Sequence, residues 1–116
     1  MPASFLWLPI AAVAAHLVEE FVWPGGFAEW YRHYPPGATT AVSSGFLVIV
    51  NAVFVLLALL PPLLGPSPRG FAIWMVVAAV AGANAVFHLY AVRRTRAYSP
   101  GVVTGVLFYL PLAIVG

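Results

Sequence analysis

Phe5-Leu6-Trp7-Leu8-Pro9-Ile10-Ala11-Ala12-Val13-Ala14-Ala15-His16-Leu17-Val18-Glu19-Glu20-Phe21-Val22-Trp23 is the stretch whose reading decides the fold. It is a mostly apolar run within the roughly 17 to 25 residues that a helix needs to cross a bilayer core. Inside it, His16-Leu17-Val18-Glu19-Glu20 carries two of the chain's three carboxylates. On a helix, positions 16, 19 and 20 stand at i, i+3 and i+4, so one imidazole and two carboxylates crowd one face. A charge at the centre of a membrane helix costs at least about 2.5 kcal/mol, whereas an interhelical polar contact there averages about 0.6. A structural lock alone is therefore a poor reason to keep two Glu in this helix, although water near the interface softens the cost. Ionisable groups in such a setting mark a functional site by default.

The rest of the composition agrees with a membrane setting. The chain has 116 residues, 63% hydrophobic and 7% charged, with a mean hydropathy of +0.99. A soluble domain carries roughly 25% charged residues, so this chain lacks the polar surface that water requires. One domain is all that this length supports. The net charge of +2 comes from five arginines and three glutamates, too little for nucleic-acid binding. There is no Cys, which excludes disulfides and thiolate ligands and leaves His, carboxylate, Asn or Tyr to hold any metal. The Ala-Val-Ala-Ala before His16 has the look of a signal-peptidase site, but no Lys or Arg precedes the apolar run, so the basic region of a signal peptide is missing.

Read outward from the first run, the length rule gives four spans, at about 5–23, 40–64, 70–92 and 100–115. The expected fold is an all-α integral membrane four-helix bundle, a single transmembrane domain over 1–116. Pro24-Gly25-Gly26 stops the first span. The segment 27–37 is too polar and too short to cross. Its Trp30, Tyr31 and Tyr34 suit the membrane–water interface, so it reads as an interfacial loop or short helix. His33, beside them, is first an interfacial residue and only second a spare imidazole. Thr39, Thr40 or Ser43 can cap the second span, with Ser43, Ser44 and Gly45 as small packing surfaces. Asn51 is its one strongly polar interior residue, read as a packing hydrogen bond. Pro61-Pro62 and Gly65-Pro66-Ser67-Pro68 close it. The third span offers a small-residue surface (Ala78, Ala79, Ala81, Gly82, Ala83, Ala85), carries Asn84 and His88, and ends at Arg93, Arg94 and Arg96. The fourth begins at Pro100, a favoured first helical position, and contains Pro111. It is short: either a thin span, or a chain that continues past Gly116.

Four spans put both termini and the 64–69 turn on one side, with Arg69 alone. The other side has Arg32, Arg93, Arg94 and Arg96. Positive-inside bias places that second side in the cytoplasm and both termini outside. Glu20 and His88 then both lie roughly 5–8 Å below the cytoplasmic boundary, at 1.5 Å per residue. His16 and Asn84 are each one turn deeper, and 98–104 enters the membrane at the same level. Polar groups that could have scattered through four helices are thus concentrated at similar depth in one leaflet.

These residues resemble the HXXEE family of small bacterial membrane proteins. His16-Leu-Val-Glu19-Glu20 matches its H-x-x-E-E motif, Asn84-Ala-Val-Phe-His88 its N-x-x-x-H motif and Tyr98-Ser-Pro100-Gly101-Val-Val-Thr104 its Y-x-P-G-x-x-T motif. The resemblance covers residues 16 to 104. It implies a protein of a bacterial inner membrane with one shared polar site, and it implies no reaction.

Four uses of the site follow from its chemistry. In the first, His16 and Glu20 at i, i+4 present a nitrogen and an oxygen to one ion, His88 joins from the third span, and Glu19 serves as a further ligand or as a base. That set, with an open position, is a catalytic zinc or non-haem iron shell. Glu19, Asn84, Tyr98 and Thr104 are the candidate catalytic residues, and His16, Glu19, Glu20 and His88 the candidate metal ligands. A ferritin-like di-iron site takes four Glu and two His, which one copy of the chain lacks, so a dinuclear centre would need a homo-oligomer. In the second use no metal is bound, and the two Glu split into acid and base for a lipid-like substrate. In the third the cluster passes protons or a transported ion. In the fourth it locks helix register. Tyr98 is equally an interfacial anchor and a pocket donor, Thr104 bonds either its own backbone or the pocket, and Pro100-Gly101 are first of all helix-start residues. The partners expected are the bilayer, a lipid-like substrate and, for transport, further copies of the chain, with no nucleic acid.

Overall fold

A computed structural model describes residues 2–33 and 43–116, and those residues are all-α with no strand. A 3-10 turn, Ala3–Trp7, leads straight into α1, Leu8–Phe21. Then come α2, Phe27–His33, α3, Ser44–Leu64, α4, Pro68–Thr95, and α5, Val102–Val115, in which Gly105–Tyr109 is wound as a π turn. Three helical stretches are long and apolar enough to cross a membrane: Ala3–Phe21, Gly45–Leu64 and Pro68–Thr95. This is the architecture of an integral membrane protein. α5 is apolar but shorter.

Local chemistry sets the ends of the helices. α1 stops before Trp23, since a residue preceding proline is pushed out of the α region, and the amides of Val22 and Trp23 both close onto the Val18 carbonyl, at 2.9 and 2.8 Å. Ser43 caps α3 by accepting from the Phe46 amide at 3.1 Å. Tyr34, Thr39, Thr40 and the start of the expected second span lie outside the described residues. α3 carries Pro61 and Pro62 within its last turn and ends at Gly65, whose φ of 64° suits glycine. α4 starts two residues earlier than its hydropathy alone suggests, because Ser67 accepts from the Gly70 amide at 3.1 Å and Pro68 fits the first turn. It continues through Arg93 and Arg94, whose charges favour a helix C-terminus. α5 begins at Val102 rather than Pro100, because Ser99 to Val102 is a turn closed by a 2.9 Å backbone bond.

α4 is the central helix, packed against α3 and α5, with α1 completing the group. Its buried row is Gly70, Trp74, Val77, Ala78, Ala81, Gly82, Ala85, His88 and Ala91, an i, i+3/i+4 stripe. At one end the Trp74 ring stacks on Phe5 with centroids 4.9 Å apart, and its indole N–H donates to the Phe5 carbonyl at 3.1 Å. At the other end α1 meets α4 through Glu20 and His88. The two helices therefore run parallel, and α3 and α5 run the other way. Val48, Ile49, Leu56 and Leu63 of α3 and Ile114 of α5 face outward, an apolar exterior suited to lipid.

Small residues let α5 lie close to α4. A Cβ on Gly82 would stand 2.6 Å from the Ala113 Cβ, and one on Gly105 would stand 3.5 Å from the Ala85 backbone. We expect Gly82→Val to destabilise the protein by about 1–3 kcal/mol, as overpacking does. Thermal unfolding in detergent checks this against Gly45→Ala, whose new methyl group meets nothing nearer than Ser43 Oγ at 3.8 Å. Equal stability of the two variants would show that the α4–α5 contact is not tight.

Candidate metal centre

The last turn of α1 carries Glu19 and Glu20, and the end of α4 carries His88. The turn between α4 and α5 brings Tyr98, Ser99 and Gly101 over them, and α5 adds Thr104. Adjacent positions on a helix point about 100° apart, so the two carboxylates enter different surroundings.

Glu20 faces inward and joins two imidazoles. Its Oε1 lies 3.1 Å from His16 Nε2 and 3.1 Å from His88 Nε2. All three side chains are buried, and one ligand atom from each lies within 4.8 Å of the others. Each ring rests its second nitrogen on a hydroxyl: His16 Nδ1 is 2.9 Å from Thr104 Oγ1, and His88 Nδ1 is 2.8 Å from Ser99 Oγ. Held rings with paired outer nitrogens are how ligating histidines are kept in place. Two of the three spacings also suit the ligands of one ion. Neighbouring ligand atoms of a tetrahedral zinc lie about 3.4 Å apart, only slightly more than the observed N···O spacings.

Glu19 faces α5 instead. The Tyr98 hydroxyl and the Val103 amide donate to its Oε2 at 2.6 and 3.1 Å. The Thr104 amide and hydroxyl donate to its Oε1 at 2.7 and 2.6 Å. The first amides of a helix have no partner within that helix, and Glu19 satisfies two of those in α5 from a neighbouring helix. An ionised carboxylate accepts and never donates, and four donors match that form.

Aromatic rings and one glycine enclose the triad. Tyr109 packs on His16 with centroids 4.2 Å apart, while Phe27 and Trp30 of α2 stand 5.8 and 6.4 Å from the His88 ring. Gly101, at φ 106°, lies so close that a Cβ would meet His88 Cε1 at 2.7 Å and His16 Cε1 at 2.8 Å. Only glycine suits both that backbone conformation and that gap. Outside this shell, a cleft of about 410 Å³ is lined by Ala15, Val18, Glu19, Trp23, Pro24, Tyr98, Val103 and Thr104. Ala15 also borders an apolar groove of about 520 Å³ between α1 and α5. The two therefore adjoin along one helix face.

The structure brings His16, Glu20 and His88 together as a candidate ligand set and holds Glu19 apart from them, one hydroxyl away. Tyr98 is a donor to Glu19 while remaining 44% exposed, and Thr104 turns to the site. Asn84 has a buried Oδ1 with no hydrogen-bond partner. Asn51 donates to the Leu47 carbonyl of its own helix at 2.9 Å. The His33 ring is bonded to the Glu29 carbonyl at 2.8 Å on the surface. Sequence reasoning did not single out Ser99, Tyr109 or Phe27. Ser99 had a signal, since it sits inside the third motif, but a serine before Pro-Gly reads as turn chemistry.

Tyr98 lies between the long helices. Burial, reinforced by the Glu19 carboxylate, pushes its phenol up to about 12. The folded-state value exceeds the ordinary tyrosine value of about 10. Its stabilising contribution is therefore whole below about pH 10 and is lost as pH rises through about 12. Thermal unfolding in detergent should fall more steeply between those pH values in wild type than in Tyr98→Phe; parallel curves would count against the Tyr98–Glu19 bond.

Searches of curated proteins and of solved structures return no match to this chain. A family model described as "Protein of unknown function with HXXEE motif" matches residues 7–116. That match takes in the three carboxylates, the helices and every side chain of the centre just described, and the chain belongs to the HXXEE family.

Proposed function

We propose that this protein is a bilayer-embedded metalloenzyme in which His16, Glu20 and His88 hold one divalent ion, zinc or non-haem iron, beside a site for a lipid-like substrate. The observation that carries this reading is the convergence of two Nε2 atoms on one Glu20 oxygen, with both Nδ1 atoms anchored on hydroxyls. A bound ion supplies Lewis acidity or an activated water. The chain's own groups do the rest. Glu20 and the two imidazoles form the ligand shell, and Gly101, Tyr109 and α2 exclude bulk water from it. Glu19, Tyr98 and Thr104 line the cleft where a polar head group meets the protein, with Glu19 placed to accept a proton and Tyr98 to donate a hydrogen bond. The buried Oδ1 of Asn84 has no partner and leaves an acceptor for a water. The apolar groove beyond Ala15 offers a place for a chain, which is why a lipid-like substrate is favoured.

In this reading α1, α3, α4 and α5 form a four-span bundle over 1–116, with α2 at the interface. The end of the bundle with the site has Arg32, Arg93, Arg94 and Arg96, against Arg69 at the other. Positive-inside bias then puts the site toward the cytoplasm of a bacterial plasma membrane, with both termini outside. A second reading draws on the same 3.1 Å distances, which are also hydrogen-bond lengths. Without metal, Glu20 and the imidazoles form a proton-sharing set, and the protein is an acid–base enzyme such as an isomerase.

Elemental analysis of untagged, detergent-purified protein separates the two. The metalloenzyme reading expects near-stoichiometric zinc, iron or manganese in wild type and its loss in Glu20→Gln. No metal in either protein after reconstitution would discard it in favour of the acid–base reading. The topology is open to cysteine labelling, because the chain has no cysteine of its own. In intact cells an impermeant thiol reagent should label Pro66→Cys and spare Ala97→Cys; the reverse pattern would invert the orientation.

A further inference from the structure

We infer that Thr104, backed by Glu19, fixes His16 with its proton on Nδ1 and so keeps the Nε2 lone pair directed at the triad. Counting protons leads to this assignment. A threonine hydroxyl has one proton to donate. Thr104 Oγ1 has two acceptors, Glu19 Oε1 at 2.6 Å and the Gly101 carbonyl at 3.3 Å. The nearer is a carboxylate, and a hydroxyl-to-carboxylate bond of this length is the strong, charge-assisted kind. The proton therefore goes to Glu19. His16 Nδ1, at 2.9 Å from the same oxygen, then has to be the donor. A neutral imidazole with its proton on Nδ1 has a bare lone pair on Nε2, and this lone pair faces Glu20 Oε1 at 3.1 Å. Two electron-rich atoms held that close in a buried site need a positive charge between them, either a proton or a metal ion.

Glu19 is thus a positioning residue that acts through Thr104, and Thr104 acts through His16. The chain Glu19–Thr104–His16 does with one intervening hydroxyl what a carboxylate does directly when it orients a ligating histidine. The tautomer assignment stands on hydrogen-bond geometry alone; its use in metal binding rests on the metalloenzyme reading above.

The test is nitrogen NMR of histidine-labelled protein in detergent micelles, which reports the proton on each ring nitrogen, with His33→Asn removing the one histidine outside the site. Wild type and Thr104→Ser should show His16 with a proton on Nδ1. Thr104→Val takes away its acceptor and should shift the proton to Nε2, toward Glu20. Glu19→Ala leaves the more distant Gly101 carbonyl, at 3.3 Å, to compete for the Thr104 proton and should move the His16 proton toward Nε2 at least in part, which keeps the inference testable should the valine variant fail to fold. Zinc affinity, measured by competition with a chromophoric chelator, should fall about 10–100-fold in Thr104→Val and stay within about threefold of wild type in Thr104→Ser. A His16 Nδ1 proton that persists in both Thr104→Val and Glu19→Ala would overturn the inference, as would failure of serine to restore it. If wild type binds no zinc, iron or manganese, the metalloenzyme reading fails, and the NMR result still decides the tautomer.

Discussion

The shared oxygen of Glu20 is the interaction on which the rest of the arrangement depends. A single carboxylate oxygen ties α1 to α4 by meeting imidazoles from both. Burial makes the arrangement all-or-none, since removing one partner of a buried charged set leaves an uncompensated charge, at a cost of about 3–5 kcal/mol. At the opposite end of the same two helices the contact is Phe5 on Trp74. That end carries one neutral hydrogen bond, from the Trp74 indole N–H to the Phe5 carbonyl, whereas Glu20 meets two imidazoles. Both ends therefore hold the register of the two helices, and the Glu20 end does so with the larger polar set.

Neighbouring carboxylates in one helix turn ordinarily repel. Here the helix rotation separates them into two unlike environments. Glu20 meets two imidazole nitrogens, and Glu19 meets four O–H and N–H donors. Two of those donors exist only because α5 begins where it does, with its first amides unspent. Glu19 thereby holds the start of α5, and α5 in turn delivers Thr104 to His16. Gly101 completes the dependence, because any side chain there would occupy the space of the two imidazoles.

Hydropathy and helix spacing made much of this legible. The long apolar runs marked the three membrane-length helices, and the i, i+4 relation of His16 and Glu20 gave a common face for a nitrogen and an oxygen. Spacing could not say which carboxylate turns inward. Positions 19 and 20 both border the helix face that bears His16, and the choice is made by α5, eighty residues along the chain. The part taken by Ser99 was hidden for a related reason: its hydroxyl reaches His88 only because the Ser99–Val102 turn folds back over α4. Helix ends were legible wherever a cap was written locally, as at Ser43 and Ser67, and were displaced where a turn intervened, as at Pro100. Aromatic residues of α2 suited the interface by composition, yet Phe27 and Trp30 also stand against His88, which only the return of α2 over the bundle produces.

Access to the triad is the constraint that a mechanism must respect. His88 is fully enclosed, and His16 and Glu20 are nearly so. The open cleft, by contrast, reaches Glu19, Tyr98 and Thr104 but none of the three triad residues. Thr104 borders the cleft and also touches the triad, with its hydroxyl between Glu19 and His16. A molecule lying in the cleft therefore senses the triad first through that hydroxyl. A rotation of the Thr104 side chain would remove the hydroxyl from both Glu19 and His16 Nδ1 while Tyr98 and the Val103 and Thr104 amides keep Glu19 in place. The π-wound turn Gly105–Tyr109 follows Thr104 directly in α5, a winding that is rare in helices and frequent at functional sites.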